Sequence, residues 1–316
     1  MTFLLELARR ATRLRAIPLV ALATVFGACN ATDQLTSTSD TETPGDVPEV
    51  AADPTDGTLS ATFRGGIPIG YFGMPTSVYG AVYNGAFRNI WPSYLNRELS
   101  AIKNRGGKIV LNLAGHERYY KTDGHFSLTK WKQQVARFRN VNFSQYVKDG
   151  TVVANCLIDE PNDWHNWGKP IPGSTLEEMA RYSKQLYPGL PTVVRAEATY
   201  LAKFSTSYRY LDGAWAQYVT RKGTPSDFIR RNVSDAQRKG LSLVTGLNVT
   251  RGGPRGSQMS ASLVKSAGSA LLNSSYPCAF LSWDYKSSYT TGAIGDAMRY
   301  LSSKARSRPT KTCRSS

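Results

Sequence analysis

The chain has 316 residues and carries 39 Lys and Arg against 23 Asp and Glu, which gives a formal charge of +16. Such a surplus favours polyanions, namely nucleic acid, anionic lipid headgroups or acidic polysaccharide, although a merely solvated basic surface is the alternative. No zinc-finger spacing or aromatic RNA-binding pattern accompanies the charge, so we expect no nucleic-acid partner.

Residues 1–29 are typical of an export signal with a lipobox-like end. Four arginines between positions 9 and 15 precede an apolar core at 17–25, which is too short to span a membrane. Phe26-Gly27-Ala28-Cys29 resembles a bacterial lipobox, with phenylalanine where leucine is usual. We therefore expect lipidation of Cys29 and an exported protein anchored at the cell envelope. Plain secretion after nearby cleavage and twin-arginine export are the alternatives.

Residues 30–60 are rich in Thr, Ser, Asp and Pro, and this composition cannot bury a core. We interpret them as a disordered, solvated tether to a folded body. The body, 61–316, has the size of a single-domain (β/α)8 barrel. Four of the basic and eight of the acidic residues precede position 61, so 35 basic against 15 acidic residues leave the body with a formal charge of about +20.

Apolar runs alternate with amphipathic segments through the body, which is typical of a parallel sheet with helical crossovers. Strands are predicted at 67–72, 108–113, 151–158, 192–196, 211–217, 241–249 and 279–285. Helices are predicted at 92–104, 128–138, 175–186, 225–239, 260–272 and 292–305. Seven strands are one fewer than a closed barrel needs, so we expect the eighth within 74–87, at 79–83. An open doubly wound sheet is the alternative, but no glycine-rich phosphate loop follows the first strand.

The predicted strand 151–158 continues directly into Asp159, Glu160 and Pro161. Its apolar, β-branched sequence is typical of a strand buried on both faces, and proline cannot continue the ladder. Two carboxylates at the end of a buried strand are costly unless a site uses them. In a (β/α)8 barrel, the carboxyl ends of the strands form the active-site face.

Other polar side chains are predicted at or near the same rim. Six acids lie within or just beyond strands, of which Asp212, at a strand start, fits least: Glu117, Asp159, Glu160, Glu197, Asp212 and Asp284. Candidate substrate-binding residues are Tyr71, Asn112, His116, Arg195, Trp215, Gln217, Asn248, Trp283 and Tyr285. Carboxylates among rings and amides are typical of a sugar site, although any one tryptophan could simply pack. Arg195 could hold an anionic substituent or pair with the acids.

At these residues the chain resembles clan A glycoside hydrolases, (β/α)8 barrels in which a strand ends in Asn-Glu-Pro and its glutamate is the general acid/base. The resemblance assigns that role to Glu160, with Asp159 in place of the asparagine that binds the sugar 2-hydroxyl. Trp283 on the last strand also fits the family pattern. The chain is similar, too, to exported glycoside-hydrolase-like barrel proteins of bacteria that carry the same Ile-Asp-Glu-Pro run.

The departure from that family is the second carboxylate. Its nucleophile ends the penultimate strand, where this chain has Asn248 and no acid. Glu197, Asp284 or Asp159 would have to replace it, at about 5 to 5.5 Å from the acid for retention or roughly 6.5 to 9.5 Å for inversion. The expected acid is Glu160, with its pKa raised by Asp159 and aromatic walls.

The function predicted from these features is a surface-anchored, monomeric glycoside hydrolase without a cofactor, acting on a polysaccharide that is neutral or anionic. The alternative is a non-catalytic carbohydrate-binding or envelope lipoprotein. A metal site at His116-Glu117 and Asp159-Glu160 is a weaker rival, because the chain has three histidines and none at i, i+4 spacing. No Gly-x-Ser-x-Gly elbow supports a serine nucleophile.

The remaining three cysteines suggest one disulfide. Cys156 lies in an apolar strand and is expected to be a small buried residue. Cys278 and Cys313 remain as a pair that would tie the basic tail to the start of the last strand, as suits an exported protein.

Overall fold

Eight short apolar strands each pair in parallel with their neighbours in sequence, and the first also pairs with the last. The computed structural model describes residues 65–314, so the predicted signal, Cys29 and the tether lie outside the described residues. The closed order confirms the predicted (β/α)8 barrel. Its strands are β1 (Ile69–Phe72), β2 (Gly85–Arg88), β3 (Lys108–Leu111), β4 (Val152–Asp159), β5 (Thr192–Arg195), β6 (Gly213–Tyr218), β7 (Ser242–Leu247) and β8 (Ala279–Ser282).

The strand missing from the sequence prediction is β2, which lies after the segment 79–83 where we expected it. That segment is a loop whose Tyr79 and Tyr83 side chains are buried and donate hydrogen bonds to backbone carbonyls. In the β1–β2 pair Gly70 faces Gly85, and a Cβ on Gly85 of β2 would lie 2.8 Å from Pro68 Cβ and 3.0 Å from the Ile69 backbone nitrogen. This close approach requires glycine, and glycine weakens the strand pattern in the sequence.

Helices cover the barrel in the predicted alternation. They are α1 (Leu95–Asn104), α2 (Leu128–Ala136), α3 (Ser144–Lys148), α4 (Trp164–Trp167), α5 (Gly173–Leu186), α6 (Ala198–Leu201), α7 (Pro225–Arg238), α8 (Ala261–Asn273) and α9 (Gly292–Arg306). The short helices α3, α4 and α6 and a hairpin of Lys121–Thr122 with His125–Phe126 were not predicted, because they are too short to show a period. No helix within 65–314 is long and apolar enough to cross a membrane.

One buried cluster fills the inside of the barrel, and a second, larger one lies between strands and helices. The inner cluster includes Phe72, Cys156 and Trp215, from β1, β4 and β6. Cys156 is a buried free thiol, and burial raises its pKa to about 12, so it is an inert packing residue at neutral pH.

The C-terminal tail closes the end of the barrel opposite the candidate rim. Cys313 forms a disulfide with Cys278, directly before β8, and is itself buried in the inner cluster. Its carbonyl oxygen accepts a hydrogen bond from the hydroxyl of Ser242, the first residue of β7. Arg314 donates to the Gly189 carbonyl, a few residues before β5. The disulfide therefore holds the tail against the amino ends of these strands.

Replacing Cys278 and Cys313 together by serine should lower the free energy of unfolding by about 3–4 kcal/mol, because the bond closes a loop of 35 residues. Chemical denaturation with and without reductant measures the difference. Reductant should shift the wild-type midpoint and leave the double variant unchanged. A wild-type midpoint that does not respond to complete reduction would contradict the prediction.

Candidate functional site

A cleft of about 400 Å³ opens at the carboxyl ends of β4, β5 and β6. Its walls come from the turns that follow these three neighbouring strands. The lining residues are Glu160, Asn162, Arg195, Ala196, Glu197, Thr199, Tyr200, Lys203, Trp215, Gln217 and Lys222. Because barrels carry their chemistry at this end, the cleft is the candidate site.

Glu160 lies one residue past β4 in a left-handed backbone conformation, with φ of 41°. Its N–H donates to the Arg195 carbonyl at 3.0 Å, and its own carbonyl accepts a 3.0 Å hydrogen bond from the buried indole of Trp167. The side chain is 55% exposed. The two hydrogen bonds hold the backbone of this turn. The carboxylate itself faces solvent, whereas the sequence led us to expect aromatic walls around it. A strained residue held this firmly is typical of functional sites.

Arg195 ends β5 and joins the ends of three strands through its guanidinium. It forms an ion pair through Nε with Asp159, donates from Nη1 to Gln217 Oε1 at 2.9 Å, and lies 3.5 Å from Glu160 Oε1. The side chain is 9% exposed. Burial alone would lower its pKa, but Asp159 and Glu160 raise it above the ordinary value, so the cation is permanent.

Asp159 is the direct counter-ion of this buried cation. Burial raises the pKa of its carboxyl to about 6, and the charge and hydrogen bond of Arg195 oppose the rise. The carboxyl is therefore ionised at neutral pH. In this state its charge compensates Arg195 and is not available to activate a water molecule or bind a sugar without breaking the pair.

Glu197 is the second carboxylate of the cleft, at the start of α6. Its Oε1 accepts from Lys222 Nζ at 2.9 Å, its Oε2 accepts from Asn232 at 3.2 Å, and Arg231 lies 3.9 Å away. Burial would raise its pKa, but Lys222 and the hydrogen bonds outweigh burial and lower it. Glu197 is consequently an ionised, firmly positioned group beside the more exposed Glu160.

Trp215 and Gln217 form the floor of the cleft from one face of β6. The Trp215 ring packs on Phe72 and Phe87 with centroids 4.7 and 5.3 Å apart. Both residues are buried, and Trp215 Nε1 and Gln217 Nε2 have no hydrogen-bond partner within residues 65–314. Native proteins pair nearly all such groups, so two orphan donors beside one cleft point to a ligand or solvent acceptor.

Several predicted residues lie outside this cleft on the same rim. Asp284 accepts a 2.5 Å hydrogen bond from Thr250, and Asn248 forms a β-bridge with Trp283 and caps the turn at Arg251. Trp283 packs on Phe72, with the Arg195 guanidinium 5.5 Å from its ring centroid.

The structure does not place Tyr71 among the substrate-binding candidates, as the sequence had suggested. Tyr71 has no exposed surface and packs outside the barrel wall against Tyr83, Tyr285 and Tyr289. Tyr71 does not line the cleft. Tyr285 is half-buried in the same cluster.

Asn112 and His116 line a separate depression of about 120 Å³ that shares no residue with the main cleft. The Asn112 amide closes a turn with Gly115, and burial with Arg118 and Lys121 lowers the pKa of His116. Glu117 accepts a 2.7 Å hydrogen bond from Asn166, and burial raises its pKa.

Asp212 lies at the opposite, amino end of the barrel. It precedes β6, binds the Thr192 backbone N–H and pairs with Lys184. Across residues 65–314, no three His, Cys, Asp or Glu side chains are grouped as a metal site would require.

Sequence reasoning missed the polar residues that β5 and β6 deliver in their following turns, chiefly Thr199, Tyr200, Lys203 and Lys222. The signal that could have found them is position, because each follows a strand end by a few residues. Lys222 in particular donates to both Glu197 and the Gln217 carbonyl at 2.9 Å. Lys222 therefore connects the Glu197 carboxylate to the β6 backbone at the floor of the cleft.

No family model and no curated protein sequence matches the chain. Solved structures do match. The β-glucanase SdGluc5_26A of Saccharophagus degradans has a TM-score of 0.53 at 10% identity over 77% of this chain and 89% of its own. A GH5_18 protein of Bifidobacterium longum subsp. infantis has 0.52 at 8% identity over 72% and 71%. A candidate glycoside hydrolase of Parabacteroides distasonis has 0.50 at 14% identity over 78% and 96%.

These structural neighbours share the (β/α)8 barrel with this chain. At such low identity the likeness shows the fold. The function has to be argued from the cleft.

Replacing Glu160 by glycine should give a protein about 1 kcal/mol more stable than replacing it by alanine, because only a residue with Cβ is strained at φ 41°. Chemical denaturation of the two variants measures the difference, and both lack the same carboxylate. At Asp296, within α9, alanine should instead be more stable than glycine by about 1 kcal/mol. The same sign at both positions would refute strain at Glu160.

The pKa of Asp159 predicts a pH-dependent stability difference from Asp159→Asn. The folded carboxyl, with a pKa near 6, binds its proton more tightly than the unfolded one, near 3.9. The resulting stabilisation is complete below about pH 4 and is lost as the pH rises through 6, by an amount on the order of 1–3 kcal/mol. Denaturation at fixed ionic strength from pH 4 to 7.5 should show this loss in wild type and not in the variant.

The control for this profile is Glu178→Gln. Hydrogen bonds from Arg181 and Lys132 lower the pKa of Glu178 to about 2, so its stabilisation is present above pH 4 and disappears only in more acidic solution. That variant should keep the wild-type slope between pH 4 and 7.5. Equal slopes for wild type and Asp159→Asn would contradict the assignment.

Proposed function

We propose that this protein is a glycoside hydrolase that cleaves a polysaccharide in the cleft of β4, β5 and β6. The observation that carries the proposal is that Glu160 and Glu197, from the ends of adjacent strands, line the same cleft. Glycoside hydrolysis needs two carboxyl groups that flank the scissile bond. The likeness of the barrel to a β-glucanase and to a GH5_18 protein supports this reaction class.

Glu160 has the role of general acid. Its carboxyl is the more exposed of the two and has one distant cation partner, so it can turn toward a glycosidic oxygen. A bound sugar would displace water from this carboxyl group. Asp159 assists by balancing the charge of the neighbouring Arg195.

Glu197 has the role of the ionised partner, as nucleophile or as base for water. Lys222 and Asn232 keep it deprotonated and fix its position. It takes the place of the acid that this chain lacks after β7, where Asn248 stands. Trp215 provides the apolar floor next to the reacting groups.

A second candidate function is carbohydrate binding without turnover. It is favoured by the ion pairs on both carboxylates, since Lys222 binds Glu197 at 2.9 Å and would reduce its nucleophilicity. In either case we propose an exported protein held at the envelope through Cys29 and the 30–60 tether.

A glycan-panel assay of reducing-sugar release tests the proposal with wild type, Glu160→Gln and Glu197→Gln. Each variant should lose about 100-fold or more in kcat, because general acid or base catalysis contributes at least that factor. On aryl glycosides with activated leaving groups, Glu160→Gln should recover much of the rate, because such groups leave without a proton. Glu197→Gln should not recover.

The exposed surface variant Asp296→Asn is the control and should match wild type. Full turnover by Glu160→Gln would rule out the acid role. Loss of turnover in Asp284→Asn but not in Glu197→Gln would transfer the partner role to Asp284. Binding without turnover in wild type would establish the second candidate function.

A further inference from the structure

The floor of the cleft holds two buried hydrogen-bond donors without a partner among residues 65–314. Gln217 Oε1 accepts from Arg195 Nη1 at 2.9 Å. Arginine has no acceptor atom, so this contact fixes the orientation of the amide and leaves Nε2 as the free end. Gln217 is 6% exposed, and Nε2 has no partner in the part of the chain that the structure describes.

Trp215, two residues earlier on the same face of β6, also has a buried donor without a partner. Its indole nitrogen can only donate, is buried, and has no partner among the described residues. Contacts with Phe72 and Phe87 hold the ring, so it cannot turn to reach a protein acceptor. A buried donor without a partner costs about 1–3 kcal/mol, and a ligand oxygen accepting from it would remove that cost.

Two lysines add positive charge to the same cleft. Lys222 is engaged by Glu197 and by the Gln217 carbonyl. Lys203 is exposed on the lining, and within residues 65–314 no acid forms an ion pair with it. Since Asp159 balances Arg195 and Glu197 balances Lys222, Lys203 is a cation that a ligand anion can pair with.

We infer that Trp215, Gln217 and Lys203 bind the carboxylate of an acidic sugar, so that the substrate is a polysaccharide containing uronic acid. This inference rests on the proposed function. A carboxylate accepts at every position and needs no acceptor in return, whereas a sugar hydroxyl also has a proton to donate. The formal charge of about +20 on the body attracts such a polymer over longer distances.

Isothermal titration calorimetry on the full-length protein tests the inference with oligouronides of galacturonic, glucuronic, mannuronic and guluronic acid. The matched probes are the same oligosaccharides after reduction of the carboxyl groups to alcohols. Wild type should bind one oligouronide at least about 10-fold more tightly than its reduced form at low salt. The preference should shrink at 0.5 M salt.

Lys203→Met should weaken binding of that oligouronide about 5-fold to 10-fold and leave the reduced form unchanged. Gln217→Glu replaces a donor by an acceptor and should abolish the preference, while Arg195 can still pair with position 217. Lys148→Met, at the last residue of α3 at the opposite end of the barrel, is the matched control and should behave as wild type.

Equal affinity for the oligouronide and its reduced form would overturn the carboxylate assignment and leave the proposed function intact. Preference for an acetamido sugar such as a chito-oligosaccharide would do the same. Failure of every glycan to bind or to be cleaved would overturn both. A weaker affinity of Lys203→Met for charged and neutral forms alike would show a structural role only.

Discussion

The buried guanidinium of Arg195 is the interaction on which the rim depends. A permanent cation with little solvent contact must be paired, and its partners come from the ends of β4 and β6. Asp159 supplies the charge, and Gln217 supplies a neutral acceptor. The pairing of β4 with β5 shifts register between Cys156 and Asp159, so that Asp159 lies opposite Arg195. After Arg195 the chain turns into Glu197 at the adjoining wall of the cleft.

This pairing also determines which groups remain for a ligand. Because Arg195 uses the oxygen of Gln217, the amide nitrogen is left over, and because Asp159 is the primary counter-ion, Glu160 is only loosely held at 3.5 Å. The strained backbone of Glu160 belongs to the same arrangement, since its N–H binds the Arg195 carbonyl. A substitution of Arg195 would thus alter the Glu160 side chain, the Gln217 amide and the turn after β4 together.

The sequence predicts the barrel well, because seven strands and six long helices have clear periods, whereas β2 is concealed by the glycine that its contact with β1 requires. The sequence predicts which residues lie at the rim, but not which way their side chains face. In β1 both Tyr71 and Phe72 are apolar rings, so no alternation indicates which faces inward, and Tyr71 lies outside the barrel. The partnership of Lys222 with Glu197 depends on how the turns after β5 and β6 approach each other, which no local pattern encodes.

The lack of an acid after β7 moves the proposed pair of carboxylates to another part of the rim. In the resembled hydrolases the second carboxylate ends the penultimate strand, whereas in the proposed site the two carboxylates follow the adjacent strands β4 and β5. Under the proposed function, a substrate lies along the rim over β4 to β6, where the cleft opens. The orphan donors of Trp215 and Gln217 are located under that path, and so is Lys203. Under the proposed function, a rim built in this way would select the polymer by its acceptor groups before the carboxylates act on the bond.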